Sequence, residues 1–394
     1  MKHLAILGPE KGPGQLGMLL AIEANRIFCE KGEALKIVSL GSGPAPEWCD
    51  EYFYTSPDDL KELEAISDIA TFETESLPPV FEQALPTKLL PNQEALKIFQ
   101  NRFQEKTFLN KLGLNTAPFW HLKDCSNSRE EAALELNRFK DKFNTSEKAS
   151  YRLKTCELGY DGHGQIALNN IDELEAAWGR LGCVEAVLES KVEIFRELSV
   201  IASRSANKEK PVIFFETPDN LHKKGVLYRS RSAKLSKSLR TKLEETALTV
   251  LEKLDYTGTI CLEVFQLSSA EGDLLINEVA PRVHNSGHYS LNFYKNTNQF
   301  AAHIKAINGF HLEPPIAKYK YFSMTNLLGI KHEKFQLVRH DLLESGLLPE
   351  EQIGFYWYNK EEAKPMRKMG HITLVSNNLK KLKEAEEILD TVLN

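Results

Sequence analysis

The stretch TICLEVFQLSSAEGDLLINEVAPRVHNSGHYS, residues 259–290, constrains this chain more than any other. Two apolar, β-branched runs, Cys261–Leu267 and Leu274–Ala280, flank the polar turn SSAEGD and predict a hairpin. Closure about Ala270 and Glu271 sets Glu263 opposite Glu278. Two carboxylates facing each other across a strand pair repel. Each is flanked by residues that read as buried (Leu262, Val264; Ile276, Val279), so the pair calls for a cation between them. Oxygen-only donors select a hard ion, Mg²⁺ or Mn²⁺. A solvent-facing edge hairpin with two unrelated acids has the same strand pattern. What separates the two readings is the dense polar tail of Asn277, Arg282, His284, Asn285 and His288.

At 394 residues the chain exceeds one ordinary core, so two or three domains are expected. A net charge of −6, with no polybasic block, argues against nucleic acid as a partner. No apolar run reaches membrane-spanning length, and the short run Leu4–Leu7 reads as a strand rather than a signal segment. The six cysteines are scattered without a C-x-x-C, which fits packing roles in a reducing cytoplasm and no zinc site.

Residues 1–116 alternate strand and helix patterns. Strands are expected at His3–Leu7, Leu35–Leu40, Tyr52–Thr55 and Ser67–Phe72, with helices at Met18–Lys31 and Asp59–Ala65. Such a βαβ series implies a parallel sheet with helices on its faces. The loop GPEKGPGQLG follows the first strand and opens a helix, where phosphate meets backbone N–H donors. Its glycines do not form G-x-G-x-x-G, so one phosphorylated small molecule suits it better than a dinucleotide. Strand four ends in TFETESLPP; Glu73 and Glu75 then lie at the carboxyl end of a parallel strand, where open α/β sheets bind ligands. Ala95–Leu112 has the apolar spacing of one helix, with Arg102, Glu105 and Lys106 on its polar side.

Residues 117–188 form a smaller unit. Its Gly-rich segment CELGYDGHGQ runs from one strand (Tyr151–Lys154) into another, which excludes the P-loop and Rossmann cases. A strand–loop–strand flap lets backbone N–H groups close on phosphates. A plain hairpin turn is the simpler alternative, and Lys154 just before the loop weighs against it. Residues 189–394 carry strands at 196–205, 211–216, 320–327, 355–358 and 371–375. The same region has helices at Lys237–Leu254 and Gln299–Asn308, and ends in the helical segment LKKLKEAEEILDTVL.

Taken in order, GQLG (14–17), TFETE (71–75), NRFQEKTFLNKLGLNTAP (101–118), LKTCELGYDGHGQ (153–165), FRELSVIASR (195–204), LEVF (262–265), NEVAPRVHNSGH (277–288), NQFAAHIKAING (298–309) and RKMGHIT (367–373) span nearly the whole chain. In these motifs the chain resembles the ATP-grasp superfamily and, within it, the 5-(carboxyamino)imidazole ribonucleotide synthases of purine biosynthesis. The resemblance implies an α/β protein, α+β in its ATP-grasp part. It would comprise a Rossmann-like preATP-grasp domain (1–116), a small lid domain (117–188) and a large ATP-grasp domain with an antiparallel sheet and C-terminal extension (189–394). It implies ATP and Mg²⁺ as cofactors, bicarbonate and aminoimidazole ribonucleotide as substrates, carboxyphosphate as the intermediate, and a homodimer.

By the same resemblance, Arg102, Lys154 and the flap residues Gly159, Tyr160, Asp161, Gly162, His163, Gly164 and Gln165 hold ATP phosphates. Glu189, Ser190, Lys191 and Val192 line the adenine, Glu197 takes the ribose, and His222 and Asn277 lie beside the nucleotide. Glu263 and Glu278 hold the metal. Arg282 stabilises the carboxyphosphate and His284 takes the amine proton. Lys360 and Arg367 grip the ribonucleotide phosphate, with Gln15, Glu73 or Glu75, Tyr160 and Asp161 completing that site. Asp161 and Lys360 count with Arg282 and His284 as catalytic. Read alone, Lys360 and Arg367 also fit surface charges, His222 a loop histidine, and His288 and His303 structural hydrogen-bonders.

The chain departs from the family pattern at several points. PEKGP is inserted before GQLG, and CEL precedes the flap where basic and glycine residues are usual. His163 replaces a cation, weakening the phosphate grip above a pKa of roughly 6.5. Val283 replaces a proline and Asn359 a glycine. The rival readings are an ATP-grasp ligase with another acceptor and a catalytically silent, nucleotide-binding paralogue.

Overall fold

Parallel neighbours in a sheet need a crossover between them, and the N-terminal segment supplies two. The computed structural model describes residues 1–85, 87–142, 150–157, 164–207, 209, 211–268 and 273–393. Strands β1 (Lys2–Leu7), β2 (Leu35–Leu40), β3 (Glu51–Phe53) and β4 (Ile69–Phe72) pair in parallel in the order β3-β2-β1-β4. The helix Gln15–Glu30 crosses from β1 to its neighbour β2, and the helix Pro57–Ile66 carries the chain from edge strand β3 to the opposite edge, β4. Ser56 caps the second by accepting from Asp59 N, with Pro57 in the first turn. The first helix buries Leu16, Leu19, Leu20, Ile27 and Phe28 in a core that also holds Phe300 and Ile304 of the helix Gln299–Ile307. One amphipathic helix thus ties the parallel sheet to the C-terminal region.

The small sheet is antiparallel. Its strands β5 (Phe119–Leu122), β6 (Tyr151–Thr155), β7 (Gln165–Leu168) and β8 (Ala186–Ser190) lie in the order β5-β8-β6-β7. The core around Trp178 and Leu153 closes between this sheet and the helices Arg129–Lys142 and Leu174–Arg180. The Gly-rich segment leaves β6 and returns as β7, strand to strand as expected.

The large sheet is also antiparallel. It comprises β9 (Arg196–Arg204), β10 (Val212–Phe214), β11 (Pro218–Lys223), β12 (Val226–Ser232), β13 (Gly258–Gln266), β14 (Leu274–Ala280), β15 (Tyr321–Leu328), β16 (Ile353–Trp357) and β17 (Lys368–Ser376). The order is β14-β13-β9-β11-β12-β15-β17-β16, with β10 also on β9. The helix Lys237–Lys253 packs Leu239, Leu243, Val250 and Leu251 on β9 and β13.

Three expectations need correction. The hairpin β11–β12 is not apparent in the sequence because its strands are polar, yet it is central. Its buried polar groups satisfy each other: Asn220 Nδ2 donates to Ser199 Oγ at 2.7 Å, and Ser230 Oγ to Asn220 Oδ1 at 2.7 Å. Lys224 and Gly225, with φ of 51° and 80°, make its two-residue turn. The helices Pro79–Ala84 and His332–Glu344 were also not expected. Finally, the single helix expected over 95–112 is two, Gln93–Gln100 and Arg102–Lys111. Asn101 is extended between them (φ −122°, ψ 116°), and its Oδ1 accepts from Phe103 N and Gln104 N at 3.0 and 3.1 Å. Apolar spacing runs through the break undisturbed; the cap chemistry of asparagine makes it.

Asn101→Ala removes that cap, and the expected loss is about 1 kcal/mol. A lower urea midpoint at unchanged slope is the checking measurement; an unchanged midpoint would contradict the role of the break.

Candidate active site

Glu263 on β13 and Glu278 on β14 are direct cross-strand partners. The register slips between Glu263 and Val264, which pairs with Ile276, so Asn277 is the extra residue of a bulge. The bulge leaves Asn277 and Glu278 both half-buried in succession, where a regular strand would send one to each face. Glu263 has a side chain only 12% exposed. Burial first, and the Glu278 charge second, push its pKa up to about 7. A carboxylate kept from ionising by burial and by a like charge is a group that a divalent cation would relieve. The oxygen pair therefore suits Mg²⁺ on this structure's own geometry.

Cations surround the pair. The break at Asn101 places Arg102 in the first turn of its helix, where Arg102 N donates to Cys156 O at 2.9 Å. Its Nη1 lies 3.2 Å from Glu278 Oε2. One turn on, Lys106 is 1% exposed and its Nζ lies 3.1 Å from Glu189 Oε1. Lys154 Nζ, from β6, meets the other oxygen of Glu189 at 2.8 Å. Burial opposes ionisation of Glu189, but the two lysines overcome it and hold the pKa at about 2. The ammonium of Lys154 is pulled down by burial, with Glu189 opposing and Lys106 and Arg102 adding to the strain. Beside them Glu105 accepts from Val279 N at 2.5 Å, and burial raises its pKa to about 8. Three basic side chains, Arg102, Lys106 and Lys154, thus face Glu189 and Glu278, while burial favours the neutral form of Glu105. Such a buried surplus of positive charge suits a polyphosphate.

Lys106 did not stand out in the sequence as a site residue. Its signal is the i, i+4 spacing from Arg102, which sends both side chains to one helical face. Glu197 on β9 meets His222 on β11, Oε2 to Nδ1 at 2.8 Å. Burial lowers the pKa of His222, yet Glu197 outweighs it and the net shift is upward. Between β8 and β9, Ser190 N donates to Pro118 O and Lys191 N to Ser150 O, each at 2.9 Å, while Val192 is half-buried. Gln165 opens β7 opposite Lys154. Gly164 has φ of 68°, and a Cβ there would lie 2.5 Å from Thr155 Oγ1, so the chain enters β7 through a position only glycine suits. Gly159, Tyr160, Asp161, Gly162 and His163 lie outside the described residues.

The strand-end acids take two different partners. Glu73 is buried and accepts from Gly14 N and, at 2.7 Å, from Gly17 N. The donors expected to meet a phosphate at this helix start are thus taken by a carboxylate of the chain itself. Glu75 Oε2 accepts from Arg282 Nε at 2.5 Å. Burial opposes its ionisation, and Arg282 brings its pKa below the usual value. Two residues on, burial holds the pKa of His284 well below the ordinary histidine range, with Arg282 and Lys368 adding to the effect. Its Nδ1 lies 2.8 Å from Ser286 Oγ and its Nε2 3.4 Å from Glu263 Oε1.

Lys360 Nζ reaches Gln15 Oε1 at 3.3 Å and Lys368 O at 2.7 Å, joining chain ends 345 residues apart. Arg367 is exposed and donates to Glu362 O at 2.8 Å, so its guanidinium is not drawn onto Lys360. Lys368, the neighbour the sequence reading passed over, bears electrostatically on Glu263, His284 and His288. Asn359 has φ of 50°, which explains how it fills a place where glycine is usual. His303 bridges Thr71 Oγ1 at 2.7 Å and Thr259 N at 3.0 Å. His288 lies 3.3 Å from Gln299 Nε2.

A small antiparallel sheet that carries Lys154 and a large antiparallel sheet that carries the facing carboxylates define an ATP-grasp protein. A model of the ATP-grasp domain matches residues 107–300, and one of the phosphoribosylaminoimidazole carboxylase C-terminal domain matches residues 323–385. N5-carboxyaminoimidazole ribonucleotide synthase of Brucella melitensis is 36% identical over 92% of this chain and 94% of its own. That of Bacillus subtilis is 33% identical, over 92% and 90%. The crystal structure of N5-carboxyaminoimidazole ribonucleotide synthetase from Thermus thermophilus superposes with a TM-score of 0.79 at 31% identity, covering 99% of this chain and 98% of that one. An ADP complex of such a synthetase gives 0.80 at 30% identity, covering 99% and 96%. The chain belongs to the N5-carboxyaminoimidazole ribonucleotide synthase family.

The raised pKa of Glu105 has a stability consequence. The folded state keeps a proton that the unfolded chain loses around pH 4.5, so stability falls as pH rises from there through about 8. Glu105→Gln keeps an acceptor for Val279 N and removes the titration. Its melting temperature relative to the parent is expected to climb between about pH 5 and pH 9; parallel curves would refute the assignment.

Proposed function

We propose that this chain carboxylates 5-aminoimidazole ribonucleotide with bicarbonate at the expense of ATP, giving N5-carboxyaminoimidazole ribonucleotide, ADP and phosphate through carboxyphosphate. The observation that carries the reading is one short stretch, 263–284. It presents the facing carboxylates to the phosphate-binding cations and, a few residues on, Arg282 and His284 to the acceptor side. Names of relatives that match nearly full length support it.

Lys154, Lys106, Arg102 and the flap would hold the ATP phosphates, and segment 189–192 with Glu197 and His222 would take the nucleoside. Glu263 and Glu278 would hold Mg²⁺, which neutralises phosphate charge when bound. Arg282 offers a planar fork to carboxyphosphate oxygens, already oriented by Glu75. Buried and neutral, His284 can accept the proton that the exocyclic amine loses. Gln15 and Lys360, held together, would meet the ribonucleotide phosphate with Arg367 closing from the rim. Because carboxyphosphate is labile, both half-reactions need one closed cavity. That role falls to the proposed lid, 117–188, between the proposed units 1–116 and 189–394. The six free cysteines support a reducing, cytoplasmic setting, and no described helix is long and apolar enough to cross a membrane. A homodimer is the expected assembly, checked by light scattering.

ADP release on mixing with ATP, Mg²⁺, bicarbonate and aminoimidazole ribonucleotide tests the function. Stimulation by the ribonucleotide is expected; ADP formed only with another acceptor would replace the reading. Glu278→Gln should cut ADP formation by at least about a hundredfold. His284→Ala should instead leave ADP release running ahead of carbamate formation, and equal loss of both would sink its role as proton acceptor.

A further inference from the structure

The small sheet carries a second cluster of donors that the carboxylation chemistry does not use. His121 lies on β5, Cys156 just past β6 and Glu185 just before β8. These strands are adjacent in the sheet, so the three side chains converge at one end of it. One ligand atom from each lies within 4.8 Å of the other two. His121 Nε2 and Glu185 Oε1 are already 2.8 Å apart. We infer that His121, Cys156 and Glu185 form a binding site for a divalent transition ion of the Zn²⁺ class, separate from Glu263 and Glu278.

The donor set argues for this class of ion. One thiolate, one imidazole and one carboxylate suit Zn²⁺ or Co²⁺, whereas Mg²⁺ selects oxygen alone. Three protein ligands leave the fourth tetrahedral position to water. Each ligand is also oriented from behind. The His121 ring stacks on Phe103, centroids 3.7 Å apart and planes 4° from parallel. Asn101 Nδ2 donates to the second oxygen of Glu185 at 2.8 Å. The backbone of Cys156 is fixed on both sides, its N–H to Glu185 O and its carbonyl to Arg102 N, each at 2.9 Å. Partners of this kind hold metal ligands in place. His121 and Glu185 are 23% and 33% exposed, which opens a path from solvent, while Cys156 is buried beneath them. Burial, then Glu185, pushes the Cys156 thiol up to about 12, so the metal-free thiol is protonated and ion binding releases that proton to solvent. The same CEL tripeptide that departs from the family pattern supplies the cysteine. An ion there would clamp the end of β6 where the Gly-rich segment emerges, two residues beyond Lys154.

The test is a Co²⁺ titration of the reduced, chelator-stripped full chain without nucleotide. A thiolate-to-cobalt charge-transfer band in the near ultraviolet is expected, saturating at one equivalent and displaced by Zn²⁺. An ion on Glu263 and Glu278 would give no such band, so the outcome is independent of the carboxylation reading. Cys156→Ser should abolish the band, His121→Ala should weaken binding at least about tenfold, and Cys29→Ser, which removes an exposed thiol, should leave it intact. Circular dichroism checks that each variant is folded. Absence of the band, or its survival in folded Cys156→Ser, would overturn the inference.

Discussion

The facing carboxylates of Glu263 and Glu278 are the constraint to which the surrounding structure answers. Burying like charges opposite one another costs several kcal/mol unless cations compensate. Arg102 lies against Glu278, and His222 and Lys368 bear electrostatically on Glu263. The compensation is partial, since Glu263 still titrates near 7. That remainder makes the pair a place for a divalent ion and not a finished salt bridge.

Glu189 shows the opposite balance. One carboxylate serves two buried lysines, Lys106 and Lys154, which arrive from different elements. A lysine ammonium buried without a counter-charge would shed its proton; at Lys154 the shared carboxylate opposes that loss. Glu75 likewise pairs with Arg282, Oε2 to Nε. These ion pairs join the parallel sheet, the small sheet and the hairpin β13–β14, and each contributes charges that another must neutralise.

Much of this was legible in the chain. The alternation of strand and helix patterns near the N-terminus implied the parallel sheet, and the Gly-rich segment was expected between two strands, which are β6 and β7. The cross-strand pairing of Glu263 with Glu278 followed from the turn alone, although a bulge at Asn277 produces it. The polar hairpin β11–β12 was not legible, because buried asparagine, serine and arginine read as surface until their partners on β9 and β15 are known. The break at Asn101 was hidden for a related reason: apolar periodicity records which face is buried, not whether the backbone is continuous.

By itself the sequence determined the family, many of the elements and most of the chemical groups, because local pattern and residue type survive without coordinates. Only the tertiary structure decided how the ions share charge. It assigned Glu73 to the backbone of Gly14 and Gly17 and Glu75 to Arg282, and it brought Lys106 beside Lys154 on Glu189. It also gathered His121, Cys156 and Glu185 from three strands. Electrostatic partnership depends on distance and burial, and residues far apart in the chain acquire both only when the three sheets close on one another.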